Sequence, residues 1–360
     1  MPLRVALVGG PMYDRLYDAF APGEVEMIVH ADHPTLNREV AAMLAAGERI
    51  DLLATHSKYA PSQSQWLRPL DDLVDAETLA PLAPRAVELC RFEDAQLCLP
   101  RLIDVRVLWV RADRVEIAPD TWDGLLASRT VFGFPGRESG LFGSFFELVV
   151  GQGGRLFDSQ LRPTIATPEA EHAVEMLCRL AARAPADLVD WHYDQVDAAL
   201  LDGRVDAAAA WPGGWDAIRS SALADRLVPY PYPAGPTRRV SYAGCHAWAI
   251  PNTCADLDGA RQLLHRLSSA EMQAIDAEGG SMCAHRGALA AVEPQHDVDR
   301  RRLEITRQMI DEAMITYPPL VRFPEIEDAG WSAIRDALRG LHSPAEATRA
   351  IQAAAEQILS

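Results

Sequence analysis

The sequence predicts an α/β fold built from parallel βαβ units, on three observations. Short apolar runs of strand length alternate with segments of helical periodicity. Glycines, prolines and capping residues punctuate the two kinds of segment. The 360 residues, at roughly 150 per domain, have room for two such units or one large one.

Leu3 to Val8 is an apolar run closed by Gly9-Gly10-Pro11, which predicts a buried strand ending in a turn. Met12 to Phe20 carries apolar residues at helical spacing, and Val25 to Val29 predicts a second strand. Asn37 to Ala46 reads as a helix stopped by Gly47, followed by a third strand at Ile50 to Ala54. In sheets of this kind ligands collect at the carboxyl ends of the strands. The loops from Gly9 to Tyr13 and from Thr55 to Gln65 are therefore the ones expected to meet a ligand.

Further on, Val105 to Val110 is a β-branched strand, and Asp120 or Thr121 can cap a helix that follows. Thr130 to Phe134 predicts a strand that leads into the glycine-rich Gly136 to Gly140, and Phe142 to Val150 a helix. Ala166 to Ala182 is a long amphipathic helix entered through Thr167-Pro168-Glu169. Asp194 to Leu201 is helical, Val205 to Ala210 is a small-residue strand, and Trp211-Pro-Gly-Gly-Trp215 follows it. Val240 to Ile250 predicts a strand and Leu257 to Leu267 a helix. From Arg300 the chain is almost wholly helical, broken at Pro318-Pro319 and Ser343-Pro344. No linker of low complexity separates two lobes, so the chain is expected to cross between them more than once.

Composition excludes several classes of function. With 34 Lys+Arg against 51 Asp+Glu the formal charge is −17, and such a surface repels phosphate backbones, so no nucleic-acid partner is expected. Hydrophobic content of 49% with 24% charged residues is ordinary for a folded protein with a core. No window approaches the ~20 apolar residues that span a bilayer. Lys58 is the only lysine. The six cysteines, Cys90, Cys98, Cys178, Cys245, Cys254 and Cys283, show no CxxC spacing, so neither a disulfide framework nor a zinc ribbon is indicated. The amino terminus reads as a strand, its apolar run being too short for a secretory leader. The expected location is periplasmic or attached to the cell envelope if a leader has been removed, and otherwise cytoplasmic.

Taken in order, a set of segments resembles a known family. They are Ala45-Ala-Gly-Glu-Arg-Ile-Asp51, Trp66-Leu-Arg-Pro69-Leu70-Asp71, Leu99-Pro100 through Asp113, Pro119-Asp-Thr121-Trp122-Asp123 and Gly153-Gly154-Arg-Leu-Phe157. Ala198 to Trp211, Gly244 to Ile250 and Leu338 to Ala347 complete the series. The pattern is similar to the extracellular solute-binding proteins of ABC importers, in the carbohydrate-binding group that includes maltose-binding protein. Cys245-His246 and Cys283-Ala-His285 depart from it, standing where the family usually has small or polar residues.

The resemblance implies the two-lobed periplasmic-binding-protein fold (type II), with a ligand cleft between lobes and a hinge crossed more than once. One lobe would comprise residues 1–106 and 248–296, the other 107–247 and 297–360. The implied function is capture of a sugar or oligosaccharide by hinge closure and delivery to membrane permease subunits, by a monomer. A cytoplasmic or tethered ligand sensor on the same fold is the alternative. No enzyme is expected, because no GxSxG elbow, HExxH, Walker loop or suitably placed GxGxxG occurs.

Sugars present apolar ring faces and rims of hydroxyls, so their sites need aromatic platforms and planar hydrogen-bonding groups. Trp211, Trp215 and Tyr13 are candidate platforms, with core packing the alternative for each, most of all for Trp215. Asp104 and Arg106 flank the chain crossing, His56, Ser57 and Lys58 follow the third strand, and Arg137 and Glu138 lie in the glycine-rich loop. His246 and Arg286 complete the candidate ligand-binding set. If Lys58, Arg106, Arg137 and Arg286 converge, the sugar would carry an acidic group. Neither a cofactor nor a metal is expected, and ordinary packing is expected of Cys245, Cys283 and His285, since their spacing matches no standard zinc site.

Overall fold

The computed structural model describes all 360 residues apart from the side chain of Asp104. The chain divides into two compact units. The first comprises Met1–Asp104, Gly244–Glu293 and Pro319–Val321, and the second Val105–Ala243, Pro294–Pro318 and Arg322–Ser360. The chain leaves the first unit at Asp104, returns at Gly244 and leaves again after Glu293, so each unit is assembled from separated pieces of sequence.

In the first unit the early strand–helix alternation folds as a parallel sheet. β1 (Leu3–Val8), β2 (Val25–Ala31) and β3 (Leu52–His56) stand in the order β2-β1-β3, with β1 parallel to both neighbours. Val5, Ala6 and Leu7 of the central strand are fully buried, as a strand covered on both faces requires. The strand Ser241–Ala249 runs antiparallel to β3 and pairs His246 with His56. His246 therefore lies at the carboxyl end of β3.

Helix α1 (Pro11–Tyr17) starts directly after β1 with proline in its first turn. Helix α2 (His33–Ala45) starts four residues before the expected Asn37. The Asp32 carboxylate accepts the Thr35 N–H at 2.8 Å, and Pro34 occupies the first turn, where a missing N–H costs nothing. That earlier start brings His33 to the same end of the sheet as His56.

The second unit holds a four-stranded sheet in the order Leu227–Tyr230, Val107–Arg111, Ala207–Ala210, Phe132–Gly133. The first two pairings are antiparallel and the last is parallel. The edge strand Leu227–Tyr230 contains Pro229, whose lack of an N–H suits an edge and hides the strand from periodicity. Val107–Arg111 is buried throughout, as is nearly all of the helix Glu138–Gly151. An all-round apolar helix belongs in the middle of a unit, and this one packs against Phe323–Leu338 and Pro168–Ala181. A methyl at Gly330 would meet Phe142 Cε2 at 2.2 Å, so the close approach of two of these helices depends on that glycine. The terminal helix Pro344–Leu359 begins with a capping box between Ser343 and Glu346.

Candidate functional site

In the first unit, the carboxyl ends of three parallel strands and the middle of Ser241–Ala249 deliver a cluster of rings. Tyr13 comes from α1, His33 from the first turn of α2, His56 from the end of β3 and His246 from the antiparallel strand. The three imidazole centroids lie 4.9 to 5.7 Å apart. His33 Nε2 and His246 Nδ1 share a hydrogen bond of 2.8 Å. The Tyr13 ring stands edge-on to His246 at 5.2 Å, and Tyr59 lies 6.3 Å from both His33 and His56. A Cβ at residue 244 would sit 2.0 Å from His56 Cε1, so only glycine permits this position of the ring.

The electrostatics disfavour the protonated forms of two of these rings, His56 and His246. Burial, followed by the neighbouring His33 and Lys58, holds His56 well below the ordinary imidazole range. Burial also holds His246 down, reinforced by His33, His56, Arg101 and Lys58. His56 Nδ1 accepts the backbone N–H of Lys58 at 3.2 Å, which places its proton on Nε2. Ser57 fixes the turn, its N–H donating to the Cys245 carbonyl at 2.8 Å while its hydroxyl accepts the Cys245 N–H at 3.0 Å. The Lys58 ammonium lies 4.7 Å from the centroid of the Tyr59 ring.

Arg101, which carried no expectation, sets the position of Tyr13. It is buried and binds Asp276 through two nitrogens, at 2.8 and 2.9 Å. Its remaining donors reach the Tyr17 hydroxyl at 3.0 Å and the Tyr13 carbonyl at 2.9 Å. α1 is thus pinned by a charge-assisted pair rather than by packing alone.

In the second unit, Trp211 is half-buried at the end of the strand Ala207–Ala210, with Tyr193 and Tyr242 edge-on to it at 6.0 and 6.1 Å. Tyr242 packs on Tyr317 at 4.6 Å, and Tyr317 on Phe146 at 4.7 Å. This aromatic wall surrounds Trp211 with ring partners of the kind that a sugar platform uses.

The other expected residues are engaged differently. Arg106 interrupts two strands and is fully buried, with its guanidinium on Glu147 and Ser144. It lies 5.9 Å from the Trp211 ring, so it supports that ring from inside the unit. Trp215 is buried and stacked on Trp109 at 5.9 Å, with the Arg302 guanidinium 5.0 Å from its ring, which is the packing alternative weighed for it. Arg137 pairs with Glu138 and donates to the Asp190 carbonyl at 2.9 Å. Glu138 holds a φ of 54°, a left-handed conformation rare for a residue with a side chain. Arg286 is exposed and donates to the Ala80 carbonyl at 2.7 Å. Asp104 lies outside the described side chains. Of the expected residues, the structure places Tyr13, His56 and His246 beside one another; their neighbours His33, Tyr59 and Arg101, and Tyr193 and Tyr242 beside Trp211, carried no expectation.

All six cysteines are free. The thiols of Cys245 and Cys283 each donate to a nearby carbonyl, that of His246 at 3.3 Å and that of His285 at 3.5 Å. Among the described residues no group of three ligating side chains is arranged to hold a metal ion, and no helix is long and apolar enough to cross a membrane.

The sequence profile described as bacterial extracellular solute-binding protein matches residues 13–274. No curated protein matches the chain. Among solved structures, maltose-bound MalE3 of T. maritima has a TM-score of 0.89 at 20% identity, with 99% of each chain covered. A solute-binding protein of an ABC transporter from Thermotoga lettingae TMO, bound with α-D-tagatose, gives 0.88 at 20% identity over 100% of each chain. The Thermus thermophilus maltotriose-binding protein, bound with maltotriose, gives 0.80 at 16% identity, again over 100% of each chain. These likenesses establish the fold as that of the solute-binding receptors. With the profile covering well over half of its length, the chain belongs to the bacterial extracellular solute-binding proteins.

Proposed function

We propose that this protein is the receptor of an ABC importer for a sugar or oligosaccharide, which it binds and hands unchanged to the permease subunits. The carrying observation is the ring cluster of Tyr13, His33, His56 and His246, gathered where strands of an α/β sheet end, in a member of a solute-binding family. Trp211 with Tyr193 and Tyr242 supplies aromatic faces of the kind that stack on sugar rings. The two units are read as the two lobes of such a receptor, working outside the cytoplasmic membrane as a monomer.

Native mass spectrometry of the protein as purified, with and without added maltose, maltotriose and tagatose, tests this. The expected result is a one-to-one complex with a saccharide and no conversion of it. Absence of any saccharide complex, or appearance of a product, overturns the reading.

A further inference from the structure

We propose that the solute carries a protonated amine, which the carboxylate of Asp197 receives beside Trp211. The inference rests on the receptor reading above and narrows the solute to an aminated saccharide.

Asp197 stands on the helix Tyr193–Leu201, one turn after Tyr193, so the two side chains share a face of that helix. Tyr193 packs edge-on to Trp211. Asp197 meets the turn Pro212–Gly214, which follows Trp211 directly and is closed by the Gly214 N–H on the Trp211 carbonyl at 3.1 Å. A Cβ at residue 214 would lie 3.2 Å from Asp197 Oδ2, so no side chain of the turn covers the carboxylate.

The protein leaves this carboxylate unsatisfied. Asp197 is half-buried and takes part in no hydrogen bond or ion pair among the described residues. Glu147 and Glu138 of the same unit are paired, with Arg106 and Arg137. Burial, to which Asp194 on the same helix adds, pushes the Asp197 carboxyl up to about 7. A partly desolvated carboxylate without a partner is costly unless a ligand supplies one.

An amine fits the place better than a hydroxyl. A hydroxyl donates to a carboxylate and accepts from a carboxylic acid, so it is indifferent to the ionisation of Asp197. An ammonium only donates, and the ionised carboxylate holds it by a charge-assisted bond. The face of an indole such as Trp211 also attracts a cation. Arg106, the guanidinium 5.9 Å from that ring, is paired with Glu147 inside the unit. The formal charge of −17 favours the approach of cationic solutes.

Calorimetry at pH 7.0 with three matched sets tests this: glucosamine and its β-1,4-linked dimer, the N-acetylated forms of both, and glucose with cellobiose. Acetylation removes the charge, and the hydroxyl forms remove the nitrogen. The expected result is that an aminated sugar binds at least tenfold more tightly than either counterpart, and that Asp197→Asn abolishes this preference. Far-UV circular dichroism and thermal melting of the variant should match those of the wild type. Binding confined to neutral sugars, maltose, maltotriose and tagatose included, overturns the inference and leaves the receptor reading standing. So does a preference for the amine that survives Asp197→Asn, or an equal loss of affinity for all three sets in that variant, which marks a structural role. Absence of heat from every sugar overturns the receptor reading, and this inference with it.

Discussion

Arg106 and Glu147 form an ion pair from which water is excluded, with side-chain exposures of 1% and 0%. Ser144 and the Tyr242 N–H complete their hydrogen bonds, at 3.0 and 2.6 Å. The pair lies directly beneath the aromatic wall that includes Trp211 and Tyr242. Burial pushes the Glu147 carboxyl up, and Arg106 together with the Tyr242 N–H pulls it back without fully offsetting burial.

Breaking one side of such a pair strands a charge in the interior. Glu147→Ala should therefore destabilise the protein by about 3–5 kcal/mol, and Arg106→Ala by a similar amount. The double replacement Arg106→Met with Glu147→Leu should cost much less than the sum. Urea denaturation of the three variants checks this; additive losses would contradict it.

Trp211→Ala should weaken solute binding by at least tenfold, since it removes an aromatic face worth roughly 1 kcal/mol or more beyond its buried area. The ring is half-buried, so the melting temperature should move little. Trp215→Ala should do the reverse, because Trp215 is buried against Trp109 and the Arg302 guanidinium inside the unit. Loss of a buried tryptophan costs about 3–5 kcal/mol. Calorimetry and thermal melts on both variants separate the two roles.

His56 and His246 make stability depend on acidity in a defined direction. Their folded-state pKa values lie well below the model-peptide value of 6.5, so the unfolded chain takes up protons that the folded chain refuses. The stabilisation is complete above that value and is lost as pH falls below it. Each imidazole should contribute a loss of up to about 1.4 kcal/mol per pH unit. His56→Gln should flatten the slope between pH 6.5 and 5 in urea titrations; an unchanged slope would contradict the assignment.

Gly244→Ala places a methyl 2.0 Å from His56 Cε1. The ring must move, at a cost of roughly 1–3 kcal/mol in stability. Solute affinity should fall more than tenfold while far-UV circular dichroism stays unchanged. Retained affinity would show that His56 is not part of the binding surface.

Much of the fold was legible because local pattern and tertiary role agree. The helix at Leu257–Leu267 and the strands opening at Leu3 and Val25 stand where periodicity puts them. The strand Leu227–Tyr230 was hidden by Pro229, which is tolerated at a sheet edge. Tyr13 and His56 could be proposed from sequence because strand ends and their loops can be read locally. His33 was missed through a helix start placed late, although Asp32-His33-Pro34-Thr35 carries the cap and the first-turn proline that mark it. Arg101 with Asp276 and Arg106 with Glu147 are separated by 175 and 41 residues, and no period in the sequence joins them. Their commitment to buried carboxylates is what removes them from the set of free cations, and only three-dimensional structure reveals it.

The most direct measurement is isothermal titration of the protein, stripped of carried solute by unfolding and refolding, with maltose, maltotriose and tagatose at pH 7.5. The account predicts saturable binding of one molecule per chain for a member of this neutral set, abolished jointly by His33→Ala and Trp211→Ala. Flat titrations across the set, or binding indifferent to both substitutions, would contradict it.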